Sequence, residues 1–175
     1  MIGNVDIRET TPSDITQILA LYPQMFPDEE LRPVVSELLD GEFDVLSLAA
    51  FEGDAAVGHV LFSICGTQES DPAGAILGPL GVLPSLQQNG LGSALVRAGL
   101  ERLEQRGIRQ VFVLGDPAYY QRFGFAPERK VMPPYPLPDE WAEAWESMLL
   151  ADRTPLADGP LLPPEPWMKP ELWGP

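Results

Sequence analysis

A strand, a glycine-containing loop and a helix follow one another over residues 75–106, and this succession restricts the fold more than any other feature. Residues 75–83 are apolar, residues 87–92 read QQNGLG, and residues 90–106 carry apolar side chains at helical spacing. Gly90 and Gly92 let a ligand approach the main chain, and a helix start leaves N–H groups unpaired at the positive end of its dipole. Such a junction predicts an anion cradle, typically for phosphate.

The segment after this helix predicts a parallel pair of strands. An apolar run at residues 108–114 follows a helix stop at Gly107. A strand–helix–strand unit of this length implies a right-handed crossover between parallel strands. Gly78, Pro79 and Gly81 weaken regular pairing within the first strand. We therefore expect this strand to splay and to leave main-chain groups available to a ligand.

The residues before this unit predict one strand, two helices and a hairpin. Pro23 is expected to stop the first helix, and acids at residues 28–30 are expected to start the second. Gly53-Asp54 between two apolar runs is typical of a hairpin turn. The predicted bounds are strand 5–9, helix 11–23, helix 28–39 and strands 46–52 and 56–65.

The stretch from residue 127 onward differs in composition from the rest of the chain. It holds twelve of the twenty prolines and all four tryptophans. Prolines prevent long regular elements, whereas four exposed tryptophans would be unfavourable. We therefore expect a single domain of residues 1–175, with a core at about 5–127. Residues 128–175 are expected to wrap it, with one strand at 145–150, as a wall on the substrate side or a homodimer contact.

Charge and composition exclude several classes of protein. The net charge is −15, and residues 101–130 hold six of the eleven basic residues against only four acids. A nucleic-acid partner is therefore not expected, whereas the basic segment suits an anionic cofactor and the acidic remainder suits either a cationic substrate or plain solubility. Cys65, the only cysteine, is interpreted as a core residue, and no metal site is predicted. Without a signal peptide or a membrane-spanning apolar run, a cytoplasmic location is expected.

Three motifs in this order resemble those of the GNAT superfamily of acyl-CoA-dependent N-acetyltransferases. They are Leu-Gly-Val-x-Pro at residues 80–84, Gln-x-x-Gly-x-Gly at residues 87–92 and Ala-Tyr-Tyr-Gln-Arg-Phe-Gly-Phe at residues 118–125. The resemblance covers residues 75–125 most strongly. It implies an α/β fold: a GNAT-like mixed, mainly antiparallel sheet with a parallel β-α-β core splayed at the cofactor cleft and helices on both faces.

The resemblance also implies a site and a reaction. Acetyl-CoA would be the donor, its pyrophosphate held by the loop and its pantetheine arm paired with the splayed strand. An acetyl group would pass directly, through a tetrahedral intermediate, to a primary amine of a small molecule or peptide. Tyr120, four residues before Gly124, would be the general acid for the thiolate, with Tyr119 as the alternative if the helix register differs by one. The implied cofactor-binding residues are Leu80, Gly81, Val82, Gln87, Gln88, Asn89, Gly90, Leu91, Gly92, Ser93 and Asp116.

The sequence leaves several roles open. A general base is sought among the acids at residues 28–30, His59 and a water chain, although a lone His in an apolar run is more typical of a core. Asp116 stands where many family members have a cofactor-binding Asn, and it is equally suited to cap the next helix. Tyr120 itself has the alternative of simply packing with its hydroxyl satisfied.

Two other functions compete with acetyl transfer. Gly90-x-Gly92 at a helix start and Asp116 further on resemble a dinucleotide-binding fingerprint, but the third glycine position is Leu95. A non-catalytic acyl-CoA sensor of the same fold is favoured by the lack of a carboxylate in residues 75–83. The acceptor amine is not specified, although an acidic chain suits a polyamine, an aminoglycoside or a basic peptide N-terminus.

Overall fold

The computed structural model describes residues 4–174, which form two compact units. The first takes the chain up to residue 62 together with residues 79–102, and the second takes residues 63–78 and the chain from residue 103 onward. The strands are β1 (Val5–Glu9), β2 (Val45–Glu52), β3 (Ala55–Thr67), β4 (Gly74–Val82), β5 (Gln110–Leu114), β6 (Ala126–Pro127), β7 (Val131–Met132), β8 (Trp145–Leu149) and β9 (Gly159–Leu162). The α-helices are α1 (Ile15–Met25), α2 (Arg32–Leu39), α3 (Leu91–Gln105) and α4 (Pro117–Tyr120).

The first unit contains the predicted hairpin and both early helices. β1 runs antiparallel to β2, from Val5 opposite Glu52 to Glu9 opposite Leu48. β2 pairs with β3, which pairs with β4. Gly53, at φ +62°, forms the turn of the β2–β3 hairpin, a backbone conformation that favours glycine. Within residues 4–174, no helix combines the length and apolarity needed to cross a membrane.

Two helix boundaries differ from the sequence predictions, and proline explains both. α1 continues through Pro23 to Met25, because a proline in the last turn of a helix loses one hydrogen bond without stopping the backbone at once. α2 begins at Arg32 rather than in the acids at residues 28–30. Pro33, which lacks an N–H, suits its first turn, and Glu30 pairs with Arg32 at 2.7 Å just before it.

The second unit contains the predicted parallel pair. β4 and β5 are parallel, with Gly74 opposite Gln110 and Ile76 opposite Phe112. This ladder ends two residues before Gly78, which takes φ +148°. The prediction of parallel pairing that stops near Pro79 is therefore confirmed. β8 runs antiparallel to both of its neighbours, β5 and β6. β9 runs antiparallel to β3 and parallel to β7.

Three of the four tryptophans in the proline-rich segment are buried, as their composition predicts. Each of these three indole N–H groups has an acceptor, which burial of a polar group requires. Trp145 donates to the Val131 carbonyl at 2.8 Å, and Trp167 donates to Ser63 Oγ at 3.0 Å. Trp173 donates to the Trp167 carbonyl at 2.9 Å. The strand predicted at 145–150 is confirmed as β8, whereas the short strands β6, β7 and β9 are additional.

Candidate active site

The loop before α3 lies in the first unit and has an unusual backbone. Gln88 and Gly90 both take left-handed conformations, with φ +65° and φ +80°. Glycine adopts this conformation without strain, whereas Gln88 is held in it by the surrounding turn. A Cβ added at Gly90 would meet no atom within 4 Å, so the space in front of this residue is open. The backbone can therefore be approached closely by a ligand.

The amides at the start of α3 are available to an anion. The N–H of Ala94 donates to the Gly90 carbonyl at 3.0 Å. Within residues 4–174, the N–H groups of Gly90, Leu91 and Gly92 have no backbone acceptor outside regular helix and strand ladders. α3 is fifteen residues long and its first turn holds no acidic residue, so the dipole at its N-terminus is not offset locally. Helix N-termini with this arrangement commonly bind phosphate groups.

The end of β4 connects this loop to α1. Gln87 Nε2 donates to the Val82 carbonyl at 3.2 Å, and the N–H of Leu83 donates to the Val57 carbonyl at 2.9 Å. A Cβ added at Gly81 would lie 2.8 Å from Met25 Sδ, so the lack of a side chain lets the end of α1 pack on β4. Gly81 and Val82 therefore have packing and hydrogen-bond partners within the first unit.

Tyr120, the predicted general acid, lies on α4 in the second unit. Its ring packs edge-on against Phe125 at 5.7 Å, and Gly115 leaves the space that the ring occupies, since an added Cβ there would overlap Tyr120. No hydrogen bond to the Tyr120 hydroxyl is found among the described residues. Burial of the ring, together with negative charge nearby, raises the pKa of Tyr120, so the phenol is protonated at neutral pH.

Asp116 and Tyr119 have structural partners of their own. Asp116 caps α4, because its Oδ1 accepts the N–H of Ala118 at 2.9 Å. The guanidinium of Arg122 lies 4.4 Å from the centre of the Tyr119 ring. The capping role that the sequence allowed for Asp116 is thus present in the structure.

Glu146 is an ionisable residue that the sequence analysis did not identify. It lies on β8, only 1 % of its surface is exposed, and its Oε2 has no hydrogen-bond partner among the described residues. Burial, assisted by the charge of Asp116, raises the pKa of Glu146 to about 7. A glutamate inside a predicted strand was the available signal. Its inward orientation depends on strand pairing that the sequence does not specify.

The sequence candidates for a general base lie either in the core or on the surface. His59 is fully buried, with Nδ1 2.6 Å from the Tyr22 hydroxyl and Nε2 2.8 Å from Ser47 Oγ. Burial lowers the pKa of His59 to about 3, so the ring is neutral and belongs to the core, as the sequence favoured. The acids at residues 28–30 are exposed, and Glu30 is paired with Arg32.

Comparison with known proteins decides the family. The sequence model of the Acetyltransferase (GNAT) family matches residues 14–125, a range that includes the loop, β4, α3 and Tyr120. This chain belongs to the GNAT acetyltransferase family. Its relatives include uncharacterized N-acetyltransferase YjhQ of Escherichia coli K12, 38 % identical over 148 residues that cover 80 % of this chain and 75 % of YjhQ. Uncharacterized N-acetyltransferase YhbS of the same strain is 36 % identical over 120 residues, covering 68 % of this chain and 72 % of YhbS.

Solved GNAT structures share the fold. The crystal structure of YhbS from Escherichia coli in complex with CoA matches with a TM-score of 0.85 and 28 % identity, over 95 % of this chain and 93 % of that one. A GNAT acetyltransferase from Brucella melitensis in complex with acetyl-CoA matches with a TM-score of 0.72 and 28 % identity, over 88 % and 93 % of the two chains. The predicted GNAT-like mixed sheet is therefore confirmed.

Proposed function

We propose that this GNAT protein transfers an acetyl group from acetyl-CoA to a primary amine of a small molecule or peptide. The observation that carries the proposal is the loop at the start of α3, where Gly90 has open space at its Cβ position and the N–H groups of Gly90, Leu91 and Gly92 have no backbone acceptor among the described residues outside regular ladders. Crystal structures of YhbS and of the Brucella melitensis protein in complex with CoA and acetyl-CoA support coenzyme A as the ligand.

The loop and β4 would hold the donor by main-chain groups. The cradle, which comprises residues 87–93, would accept the pyrophosphate, and the main chain of residues 80–82 would pair with the pantetheine arm. The short parallel ladder of β4, which ends at Ile76, supports this second role because it leaves the later part of the strand without that partner. Acetyl-CoA supplies the activated acetyl group when bound. An amide at Leu80 or Gly81 would then donate to the carbonyl oxygen of the acetyl group.

Tyr120 would supply the proton that the departing thiolate requires. A phenol with a raised pKa is fully protonated at neutral pH, and its unpartnered hydroxyl is free to donate. The chain carries no carboxylate on β4, so a base for the amine is not assigned to that strand. Asp116, engaged at the N-terminus of α4, is proposed as a cofactor contact only through its remaining carboxylate oxygen.

The acceptor would be a cationic amine. The net charge of −15 creates a field that attracts cations and repels acidic acceptors. A polyamine, an aminoglycoside or a basic peptide N-terminus satisfies this condition. Transfer to an ammonium releases two protons from nitrogen: one passes to solvent, and the other balances the proton that Tyr120 gives to sulfur.

Thermal unfolding with acetyl-CoA and with NAD tests the donor. At a hundredfold excess over its dissociation constant, acetyl-CoA should stabilise the protein by about 2.7 kcal/mol, while NAD should have no effect. A panel of amines then tests turnover by release of free thiol. Stabilisation by NAD alone would contradict the proposal. Stabilisation by acetyl-CoA without amine-dependent thiol release would instead support an acyl-CoA sensor.

A further inference from the structure

Glu146 lies on the face of the sheet that Tyr120 covers. In the antiparallel β5–β8 pair Glu146 is opposite Val113, and directly opposed residues present their side chains to the same face. Gly115, two residues after Val113, continues this pairing, because its N–H donates to the Ala144 carbonyl at 2.9 Å. Gly115 therefore belongs to the same face as Glu146, and the Tyr120 ring packs directly on Gly115.

A second strand supports this placement. Pro127 of β6 is opposite Glu146, so Phe125, two residues earlier, is directed toward the same face. The Phe125 and Tyr120 rings are in edge contact at 5.7 Å. Glu146 is consequently enclosed between the sheet and the aromatic side chains of residues 119–125.

Among the described residues, no cation contributes to the electrostatics of the Glu146 carboxyl, whereas the charge of Asp116 does. The groups whose charge acts on Glu146 or Tyr120 are Asp116, at the N-terminus of α4, and Tyr119. Arg109, directly before β5, belongs to the same face, because its carbonyl accepts the N–H of Leu150, but it lies four residues from Val113. Glu128 belongs to the other face, where its Oε1 accepts a hydrogen bond from Ser147 Oγ. An unpartnered carboxylate oxygen enclosed at this depth is costly to keep as an anion.

We propose that Glu146 acts through Tyr120: the charge state of its carboxylate sets how readily the Tyr120 hydroxyl gives up a proton. The inference rests on the proposed acid function of Tyr120. A phenolate formed beside a charged Glu146 would place two negative charges on one enclosed face, whereas a phenolate beside neutral Glu146 would not. Since Glu146 is inaccessible to a substrate, it is a positioning residue rather than a group that meets the acceptor amine.

Because the pKa of Glu146 is about 7, the carboxyl changes its charge, and with it the ease of proton donation by Tyr120, within the physiological range. Below pH 7 the carboxyl is neutral and proton donation by Tyr120 is unopposed. Above pH 7 the carboxylate is charged and donation slows. A Glu146→Gln variant is neutral at every pH and of nearly the same shape, so it should lose this dependence.

Carbon NMR of protein labelled at tyrosine Cζ tests the coupling without an acceptor or any turnover. Four resonances are expected, and Tyr120→Phe identifies the one from Tyr120. In the unaltered protein this resonance should shift with an inflection near pH 7. The inflection should vanish in Glu146→Gln and persist in Glu140→Gln, a matched change of an exposed carboxylate. Absence of the inflection, or its persistence in Glu146→Gln, would overturn the proposal.

Thiol release with the best amine of the panel provides the kinetic counterpart. The ratio of turnover in Glu146→Gln to that in the unaltered protein should rise from about one at pH 6 to as much as about tenfold at pH 8.5. In a Tyr120→Phe background the ratio should be flat, because the residue through which Glu146 acts is gone. A rise that persists there would contradict action through Tyr120. Unchanged turnover in Tyr120→Phe itself would contradict the proposed function instead, whatever the NMR titration gives.

Discussion

At the scale of single residues, Tyr120 combines a packed ring with a hydroxyl for which residues 4–174 supply no hydrogen-bond partner. Tyr120→Phe should keep the ring packing against Phe125 and remove only the proton donor. We expect kcat to fall about a hundredfold, the low end of what general acid catalysis contributes, with the dissociation constant for acetyl-CoA changed less than twofold. Initial rates of thiol release and binding titrations measure both quantities.

Tyr135→Phe is the matched control for that experiment, since Tyr135 is half-buried in the proline-rich segment and has no proposed role. It should retain normal turnover. If both variants turned over normally, Tyr120 would have no part in proton transfer. If both lost turnover equally, the effect of Tyr120→Phe would be structural.

His59 carries a separate prediction about stability. Its pKa is about 3 when folded and near 6.5 when unfolded, so the unfolded state binds the proton more tightly and stability is lost as pH falls through this window. Between pH 7 and pH 4.5 the loss from His59 should be about 2.5 kcal/mol. Urea unfolding of the unaltered protein and of His59→Gln at both pH values measures this difference. An equal change in both proteins would contradict it.

Glu146 affects the same titration with the opposite sign. Its pKa is raised to about 7, so the folded state binds the proton more tightly and stability rises as pH falls from 7 toward its unfolded value. In the unaltered protein the two contributions to the pH dependence of the free energy of unfolding therefore partly cancel. Comparison with His59→Gln separates them, because Glu146 contributes equally to the two proteins.

At the scale of elements, the loop before α3 could be predicted in detail because its signal is local. Glycines at residues 90 and 92, an apolar strand before them and helical periodicity after them are all visible in the sequence. The left-handed Gln88 was not predictable, because glutamine has no preference for that conformation and the turn imposes it.

Gly90→Val tests the loop as an anion cradle. Valine is strained at φ +80° and fills the open space before the amides, so acetyl-CoA should bind at least tenfold more weakly by calorimetry. Gly41→Val is the matched control, since Gly41 takes φ +98° with no atom within 4 Å of an added Cβ. Both variants should lose stability, but only Gly90→Val should lose affinity. Equal affinity in the two would count against the cradle.

The packing of α4 on β5 yields another prediction. Gly115 leaves the space for the Tyr120 ring, so Gly115→Ala should displace the phenol. We expect kcat to fall about tenfold or more while acetyl-CoA affinity stays within twofold, since small displacements of a catalytic group are costly. Steady-state kinetics with varied acetyl-CoA makes the distinction. Normal kcat in this variant would indicate that the position of Tyr120 is not critical.

The short strands of the proline-rich segment mark the limit of sequence-based prediction at this scale. β6 and β7 have two residues each, too few for any periodic pattern, and Pro127 lies within β6. Their pairing depends on β8 and β9, which are distant in sequence. β8 was predictable because its five residues include three large apolar side chains, Trp145, Met148 and Leu149. The buried position of Glu146 follows from the same long-range pairing, which is why the sequence did not identify it.

At the scale of the whole molecule, the family and the donor are easier to infer than the acceptor. The proposed donor site uses main-chain groups at a loop with a recognisable motif, whereas no motif in this sequence specifies the acceptor. The charge of −15 restricts the acceptor only to a class of cations. Acceptor specificity is therefore an experimental question, and the amine panel addresses it directly.

The most direct test of the whole account follows both products of one reaction. The protein is incubated with acetyl-CoA and each cationic amine, free thiol is measured by colorimetry and N-acetylated amine by mass spectrometry. For at least one amine we expect the two products to form in equal amounts, and both to fall together by about a hundredfold in Tyr120→Phe. Binding of acetyl-CoA with no acetylated product from any amine would contradict the proposed transferase activity.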